Sequence, residues 1–311
     1  VTASWELDIF GKMRNSKRQA QALYAQSQDY KQAVRTQLIA SIANTYYTLL
    51  MLDEQLAFAQ EMALSWEETV HSTRALMNAG MTDEAAVSQM EAACYEVQTS
   101  VLDLKKQISQ TENSFALLLA ETPRTYERNS LSEVQMPTEL SVGIPIQILA
   151  NRPDVRMAER SLESAFYATN TARSAFYPSI TLSGSAGWTN SAGAIIANPG
   201  KFLASAVGSL TQPLFARGQL IGQLKISKAQ QEEASLAFQQ TLLNAGSEVN
   251  DALTAWQTSR NKKQLLDRQV ISLQNAVKST SLLMEHGTTT YLEVLTARQK
   301  LLSAQLTQTA N

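Results

Sequence analysis

Residues 175–215 read AFYPSITLSGSAGWTNSAGAIIANPGKFLASAVGSLTQPLF, and this stretch decides the fold class. From Ile180 to Thr189, apolar residues alternate with small polar ones, which is the period-two pattern of a strand with one apolar face. A loop rich in glycine, asparagine and proline follows at 190–200, and a second extended run covers 202–214. The stretch therefore predicts a β-hairpin with about ten residues per strand, roughly the length that crosses a bilayer when tilted.

Long helical patterns flank this hairpin. No proline or glycine occurs from Lys12 to Asn78, and apolar or small residues recur there at alternating spacings of four and three. Such a seam predicts a helix on the order of 100 Å long, too long for a compact globular domain. Gly80 ends the helix, and Thr82 is the predicted N-cap of an antiparallel return helix at 82–120. Cys94 lies in the second seam, where we expect a packed apolar residue.

A connector and a further helix precede the hairpin. Residues 121–150 contain three prolines and a glycine and predict a loop-rich segment with little regular structure. Pro153 suits the first turn of a helix and Asp154 suits its positive end, so a helix is predicted at 151–177, where Pro178 stops it.

The chain after the hairpin repeats the chain before it. A shift of 207 residues superposes the two seams and their breaks at Trp66 and Leu273, Met77 and Met284, Gly80 and Gly287, and Val87 and Val294. Near the helix start the shift is 205, because Phe10 falls on Phe215, so about two residues are gained there. This self-similarity indicates internal duplication. The strand-like run at 4–10 then matches the second hairpin strand, and we expect its partner strand and any targeting sequence upstream of Val1.

Composition excludes several classes of function. Charged residues make up 17% of the chain and the net charge is −2, which argues against nucleic acid as a partner. One cysteine and two histidines leave no disulfide and no metal-ligand spacing, and the sequence holds no catalytic set or phosphate loop. We therefore expect no enzyme activity, cofactor or metal. No apolar run approaches the length of a transmembrane helix.

The combination of bilayer-length strands and very long helices restricts the architecture. Strands that cross a membrane must close into a barrel, because an open edge leaves backbone groups unpaired in lipid. Four strands per chain are too few, since known barrels begin at about eight strands. The sequence therefore predicts a β-barrel shared between subunits and continued by a helical tube, which makes a conduit.

Three motifs give the chain a resemblance to a known family. They are RPDVRMAE at 152–159, AFYPSITLSG at 175–184 and QPLF at 212–215. In this order they resemble the TolC-like outer-membrane efflux proteins, in particular those that serve resistance–nodulation–division pumps. The resemblance covers the whole chain. It implies a mainly α-helical homotrimer with an α-barrel in the periplasm below a twelve-stranded barrel in the lipid of the outer membrane of a Gram-negative bacterium. It also implies passive export of drugs, toxic compounds or metal ions, with a periplasmic adapter and an inner-membrane pump as partners.

The resemblance divides the chain into functional segments. These are a barrel strand at 1–10, a long helix and return helix at 11–120 with a tip at 78–84, an equatorial connector at 121–150, an α-barrel helix at 151–177, the barrel hairpin at 178–216, and the second repeat at 217–311 with a tip at 285–293. The tips are expected to form the periplasmic aperture. Thr289 and Ala86 replace the arginine and the acid of the TolC-type lock, so closure by that salt bridge is not expected.

Candidate site residues follow from these tips. Glu293 is the first candidate for an acidic ring, with Asp83 and Glu84 as weaker ones, and the alternative for all three is an ordinary acid at a helix start. Arg74 and Arg298 are either polar docking contacts or solvated side chains. A pH switch is one interpretation of His286 at a tip, and an exposed capping histidine is the favoured one. The adapter is expected to dock at Met77, Gly80, Thr82, Met284, Gly287 and Thr289. Trp5 and Trp188 are expected in the interfacial aromatic belt, and packing at the barrel edge is the alternative for Trp188.

Two other functions stay open from the sequence. The same architecture would serve as an exit duct for type I protein secretion. A soluble coiled-coil scaffold, with the hairpin as a dimerisation element, is an interpretation of a different class. Dependence on detergent separates the scaffold from both ducts.

Overall fold

The structure, a computed structural model, describes residues 1–134, 149–189, 201–213, 216–286 and 288–311. In chain order its elements are β1 (Thr2–Leu7), α1 (Lys12–Asn78), α2 (Glu84–Leu119), a 3-10 turn (Leu131–Glu133), α3 (Pro153–Ser174), β2 (Ser179–Thr189), β3 (Lys201–Thr211), α4 (Gln219–Glu285) and α5 (Tyr291–Ala310). None of the helices within these ranges is long and apolar enough to cross a membrane.

The predicted hairpin is confirmed as the antiparallel pair β2 and β3. The first strand was predicted at 4–10 but covers Thr2–Leu7, and it pairs antiparallel with β2, so the sheet has the order β1-β2-β3. Opposed positions carry matching chemistry, as in the apolar pair Trp5 and Leu182 and the polar pair Ser4 and Ser183. One face of the sheet is therefore mainly apolar and the other mainly small and polar.

The two long helices begin at equivalent residues. Each contains 67 residues, and Lys12 and Gln219 lie 207 positions apart. A glycine with positive φ precedes each helix, Gly11 at 75° and Gly218 at 77°, a conformation that residues with a Cβ rarely adopt. The two-residue gain therefore lies before Gly218, at 216–217, and not inside the helix.

The chain forms two compact units. The first comprises Val1–Val34 and Gly143–Val249, and the second comprises Arg35–Val142 and Asn250–Asn311. Both long helices contribute residues to both units, because a helix of 67 residues is longer than a single compact unit.

Polar contacts between helices are frequent in the first unit. The buried Asp29 carboxylate of α1 lies 2.9 Å from the guanidinium of Arg156 on α3. The buried Thr169 hydroxyl of α3 donates a 3.0 Å hydrogen bond to the Ser227 carbonyl of α4. Pro153 opens α3 as predicted, but the helix ends at Ser174 and not at residue 177.

The second unit holds a hydrophobic core made by α1, α2, α4 and α5. Its buried members include Met62, Trp66, Met90, Cys94, Val97, Val270, Leu301 and Ala304. Cys94 is thus a packed apolar residue, as predicted, and burial raises the pKa of its thiol, with a smaller contribution from Glu67.

The described part of the connector, 121–134, is attached to this unit by an ion-pair network. Arg128 forms a bidentate pair with Asp53 of α1 at 2.7 and 2.9 Å and contacts Glu112 of α2 at 2.6 Å. Hydrogen bonding of the Arg128 guanidinium to the Asp53 carboxylate, which accepts, is the largest cause of the raised pKa of Arg128. Residues 135–148 lie outside the described part, and the equatorial role of the connector stays a prediction.

Candidate functional site

The first helical tip is a sharp stop at the end of α1. The Met81 amide donates to the Leu76 carbonyl at 2.9 Å, and the Gly80 amide donates to the Met77 carbonyl at 2.9 Å. Gly80 has a φ of 74°. This is the Schellman arrangement, in which a left-handed glycine lets the chain turn back and pair the last carbonyls of the helix. Met77 is half-buried, whereas Gly80 is exposed.

The return helix α2 begins two residues later than predicted. Asp83, and not Thr82, is its N-cap, with extended backbone and a side-chain oxygen that accepts from the Ala86 amide at 2.8 Å. The capping prediction for Thr82 was therefore wrong. A carboxylate at the N-cap satisfies a free amide and interacts favourably with the positive helix end, which favours Asp83 over its neighbour.

The second tip repeats the hydrogen bonds of the first. The Thr288 amide donates to the Leu283 carbonyl at 2.9 Å, 207 positions after the bond between Met81 and Leu76. The His286 amide donates to the Leu282 carbonyl at 3.1 Å, which matches the 3.1 Å bond between Ala79 and Ala75. Gly287 lies outside the described residues. The duplication inferred from the seam thus extends to individual hydrogen bonds of the tip.

The start of α5 differs from the start of α2. Thr290 occupies the N-cap position with extended backbone, but its side chain makes no capping hydrogen bond. Instead, the Thr289 hydroxyl donates to the carboxylate of Glu293, which is exposed in the first turn. The repeat equivalent of Glu293 is Ala86, which is fully buried. The second tip therefore presents an acid where the first packs a methyl group.

The three acidic candidates have different local roles. Asp83 and Glu84 are both exposed, but the Asp83 carboxylate is occupied by the cap. Glu84 stands in the first turn of α2 and Glu293 in the first turn of α5. Among the described residues, no group of three or more histidines, cysteines or acids is placed to hold a metal ion.

The contacts of Arg298 with α1 were not predicted from the sequence. Arg298 was interpreted as a docking contact or a solvated arginine, but its guanidinium donates to the carbonyl of Ser65 at 2.9 Å and to its hydroxyl at 2.7 Å. The guanidinium also lies over the Trp66 ring, 5.6 Å from the centroid. Burial lowers the pKa of Arg298. Arg74 behaves differently and pairs on the surface with Glu91. The one sequence feature that could have indicated the Arg298 contact is Trp66 in the α1 seam, because an aromatic ring can bind a cation.

The two interfacial aromatic candidates lie on the sheet. Trp5 is 63% exposed on the mainly apolar face. Trp188 stands opposite Phe202 in the register of β2 and β3, and its side chain lies outside the described part of the chain. Their position in an aromatic belt stays a prediction.

Comparisons with known proteins agree with these features. The family model described as "Outer membrane efflux protein" matches residues 1–121 and 144–311. The cation efflux system protein CusC of Escherichia coli is 26% identical over 99% of this chain and 67% of the relative. The toluene efflux pump outer membrane protein TtgC of Pseudomonas putida is 28% identical over 97% of this chain and 63% of the relative. The chain thus spans about two thirds of the length of these relatives.

A solved structure has the same fold. The outer-membrane channel OprN superposes with a TM-score of 0.94 at 26% identity, covering 99% of this chain and 70% of that one. The sheet, the long helices and the repeated tips therefore define an efflux channel protein of the outer membrane. The chain belongs to the outer membrane efflux protein family. The predicted family, fold class, efflux function and outer-membrane location are confirmed, and the soluble scaffold has no support.

Proposed function

We propose that this chain is the subunit of a trimeric, passive exit duct in a tripartite efflux system. One observation carries the proposal: a strand, a 67-residue helix, a sharp tip and a return helix occur twice, and the helices and tips of the two copies lie 207 residues apart. A short sheet with one apolar face cannot enclose a pore in one copy, so several copies must share the barrel. Three copies of a doubled unit supply six equivalent helical hairpins around one axis.

Glu293 is the residue that we assign to the periplasmic aperture. Its carboxylate is exposed in the first turn of α5, and its own repeat equivalent is a buried alanine. Three copies around the axis would concentrate negative charge at the constriction, which raises the local concentration of cations. We expect Asp83 to contribute less, because its carboxylate accepts the capping hydrogen bond from the Ala86 amide. Glu84 stays a weaker candidate than Glu293.

Both tips together form the proposed adapter site. Met77, Gly80 and Thr82 of the first tip are matched in the second by Met284, Gly287 and Thr289. An inner-membrane pump would supply the energy, so the chain itself catalyses no reaction. The names of the relatives refer to cations and to toluene, and we propose the same range for this chain, small toxic compounds or metal ions.

The test is the current through single channels of Glu293→Gln in planar bilayers. Glutamine keeps the shape and the acceptor for the Thr289 hydroxyl but removes the charge. We expect the ratio of cation to anion permeability to fall roughly fivefold, because loss of about 1 kcal/mol of attraction corresponds to about that factor.

Glu84→Gln is the matched control, since Glu84 is also an exposed acid in the first turn of a return helix. We expect it to change the permeability ratio by less than half as much on a logarithmic scale. Unchanged conductance and selectivity in Glu293→Gln would remove Glu293 from the aperture.

A further inference from the structure

The three strands meet their helices at one end of the sheet. Leu7 at the end of β1 lies opposite Ile180, near the start of β2. The first residue of β2, Ser179, lies opposite the last residue of β3, Thr211. Helices α1 and α4 begin beyond this end, and α3 ends there. In a channel protein of the outer membrane the long helices extend into the periplasm, so this end of the sheet lies at the periplasmic leaflet.

Basic residues are concentrated at this end. The segments 9–28, 164–178 and 216–231 join the sheet to the helices. Together they hold eight of the 26 basic residues of the chain and none of its 28 acidic residues, which leaves 18 basic and 28 acidic residues for the rest. The small net charge of the whole chain therefore conceals a strongly basic zone beside the membrane.

Three of these bases lie close together in the first two turns of α1. They are Arg14, Lys17 and Arg18, and we call them the basic cluster. All three side chains are exposed, and no acid within the described ranges forms an ion pair with any of them. Asp8, the acid nearest in sequence, instead accepts hydrogen bonds from the backbone amides of Met13 and Arg14 at 2.8 and 2.7 Å. The charge of the cluster is thus not balanced by an ion pair in the described part of the chain.

The basic cluster lies on the outer side of α1. Lys12 marks the inner side, because its ammonium group lies 3.3 Å from the carboxylate of Glu6. Glu6 stands opposite Thr181, on the polar face of the sheet. At about 100° per residue, the three bases of the cluster are turned roughly 140–240° away from Lys12. They therefore point to the same side as the apolar face of the sheet, which is the side that contacts lipid in a barrel.

An exposed apolar band lies between the sheet and the cluster. Its members include Ile9, Met13 and Tyr177, each more than half exposed. The side chain of Arg14 folds back toward this band, and its guanidinium reaches within 3.4 Å of the point where a Cβ on Gly11 would stand. An apolar band followed by a row of bases is the arrangement that suits the boundary between acyl chains and phosphate groups.

The helix does not need the cluster in order to form. Positive side chains are unfavourable near a helix N-terminus, because the aligned peptide dipoles already place positive charge there. Helix α4 is equally long with Ile221 and Leu224 at two of the three equivalent positions, and only Lys225 retains a base. The cluster is therefore an addition to the repeated plan, and a bound anion would compensate its repulsion.

We propose that the basic cluster binds the headgroup of an anionic phospholipid in the periplasmic leaflet. The guanidinium groups of Arg14 and Arg18 suit the oxygens of a phosphate, and Lys17 adds a third positive charge. The acyl chains would lie along the apolar band. This inference goes beyond the proposed export function and depends only on the outer-membrane location of the protein.

The test is native mass spectrometry of the full-length protein in a neutral detergent. The protein is titrated with dioleoyl phosphatidylglycerol or with dioleoyl phosphatidylcholine, which carries a phosphate but no net charge. We expect the parent protein to bind phosphatidylglycerol at least about fivefold more tightly. The variant with Arg14→Gln, Lys17→Gln and Arg18→Gln should bind it on the order of a hundredfold more weakly, because each base near an anionic lipid contributes roughly a factor of five.

A second row of bases on α4 supplies the matched control. Arg260, Lys262 and Lys263 are also exposed on a long helix, but Lys263 has an acid, Asp267, at 3.8 Å. Replacing these three by glutamine removes the same charge in the second compact unit. We expect this variant to keep the affinity and the lipid preference of the parent protein.

Several outcomes would overturn the inference. Equal binding of the two lipids by the parent protein would do so without any substitution, which covers the case of a variant that does not fold. Equal losses of phosphatidylglycerol binding in the cluster variant and in the control would show an unspecific effect of charge. Displacement of the lipid by an excess of inorganic phosphate would show a site for small anions and not for a lipid. Salt near 1 M, where the Debye length is about 3 Å, should abolish the lipid preference, and a preference that persists would contradict recognition by charge.

Discussion

The two helical hairpins of the second unit have similar backbone geometry but differ in their side chains. Both long helices contain 67 residues, and both tips close with the same amide-to-carbonyl bond at the same repeat position. The first return helix is capped by Asp83, whereas Thr290 makes no cap with its side chain. Ala86 is buried where Glu293 is exposed.

This difference teaches how a duplicated element acquires two roles. Backbone hydrogen bonds and a left-handed turn fix where each helix stops, and side chains can diverge around them at little cost. In the first tip the acid serves the fold, because it satisfies a helix amide. In the second tip the acid is free of that task. The following predictions test whether the two hairpins are as unequal as their side chains indicate.

The largest expected difference concerns the core. Trp66 is completely buried, while its equivalent Leu273 is only partly buried. Trp66→Ala should lower the free energy of unfolding by about 3–5 kcal/mol, and Leu273→Ala by less than about 2 kcal/mol. Urea unfolding followed by far-UV circular dichroism measures both. Equal losses would mean that the hairpins share the core evenly.

The next difference concerns the equivalent positions of Arg298 and Glu91. Arg298 makes two charged hydrogen bonds to Ser65 on the other hairpin, so Arg298→Met should cost about 1.5–3 kcal/mol. Glu91 pairs on the surface with Arg74, so Glu91→Gln should cost less than about 1 kcal/mol. The same unfolding curves compare them. Arg298→Lys is the control: it keeps the charge but cannot reproduce the planar fork, and full recovery by lysine would show that geometry is irrelevant.

The smallest expected difference lies at the caps. Asp83→Ala removes the acceptor of the Ala86 amide and should destabilise the start of α2 by about 1 kcal/mol. Thr290→Ala removes no capping bond and should have almost no effect at α5. Amide hydrogen exchange in the two first turns reports this locally. A larger increase in exchange rate at the start of α5 in Thr290→Ala than at the start of α2 in Asp83→Ala would contradict this prediction.

Sequence reasoning predicted the elements well where local signals were strong. The 67-residue helix α1 was predicted at its observed bounds, because a seam without glycine or proline ends at a glycine turn. It misplaced the start of α2, since Thr82 and Asp83 are both good N-caps and only backbone geometry selects one. It also could not find the partner of β1, because strand pairing joins residues about 180 positions apart in sequence.

The sequence by itself determined the repeated plan of this protein: two-faced strands, very long helices, two glycine-ended tips and a duplicated core seam. These features follow from local hydrophobic periodicity and from the glycine and proline residues that end helices and strands, and short stretches of chain encode both. Only the tertiary structure decided that Arg298 turns inward to Ser65 and that Trp66 is completely buried while its repeat equivalent Leu273 is only partly buried. Such outcomes depend on which helix of one hairpin packs against the other, and no local pattern records that choice.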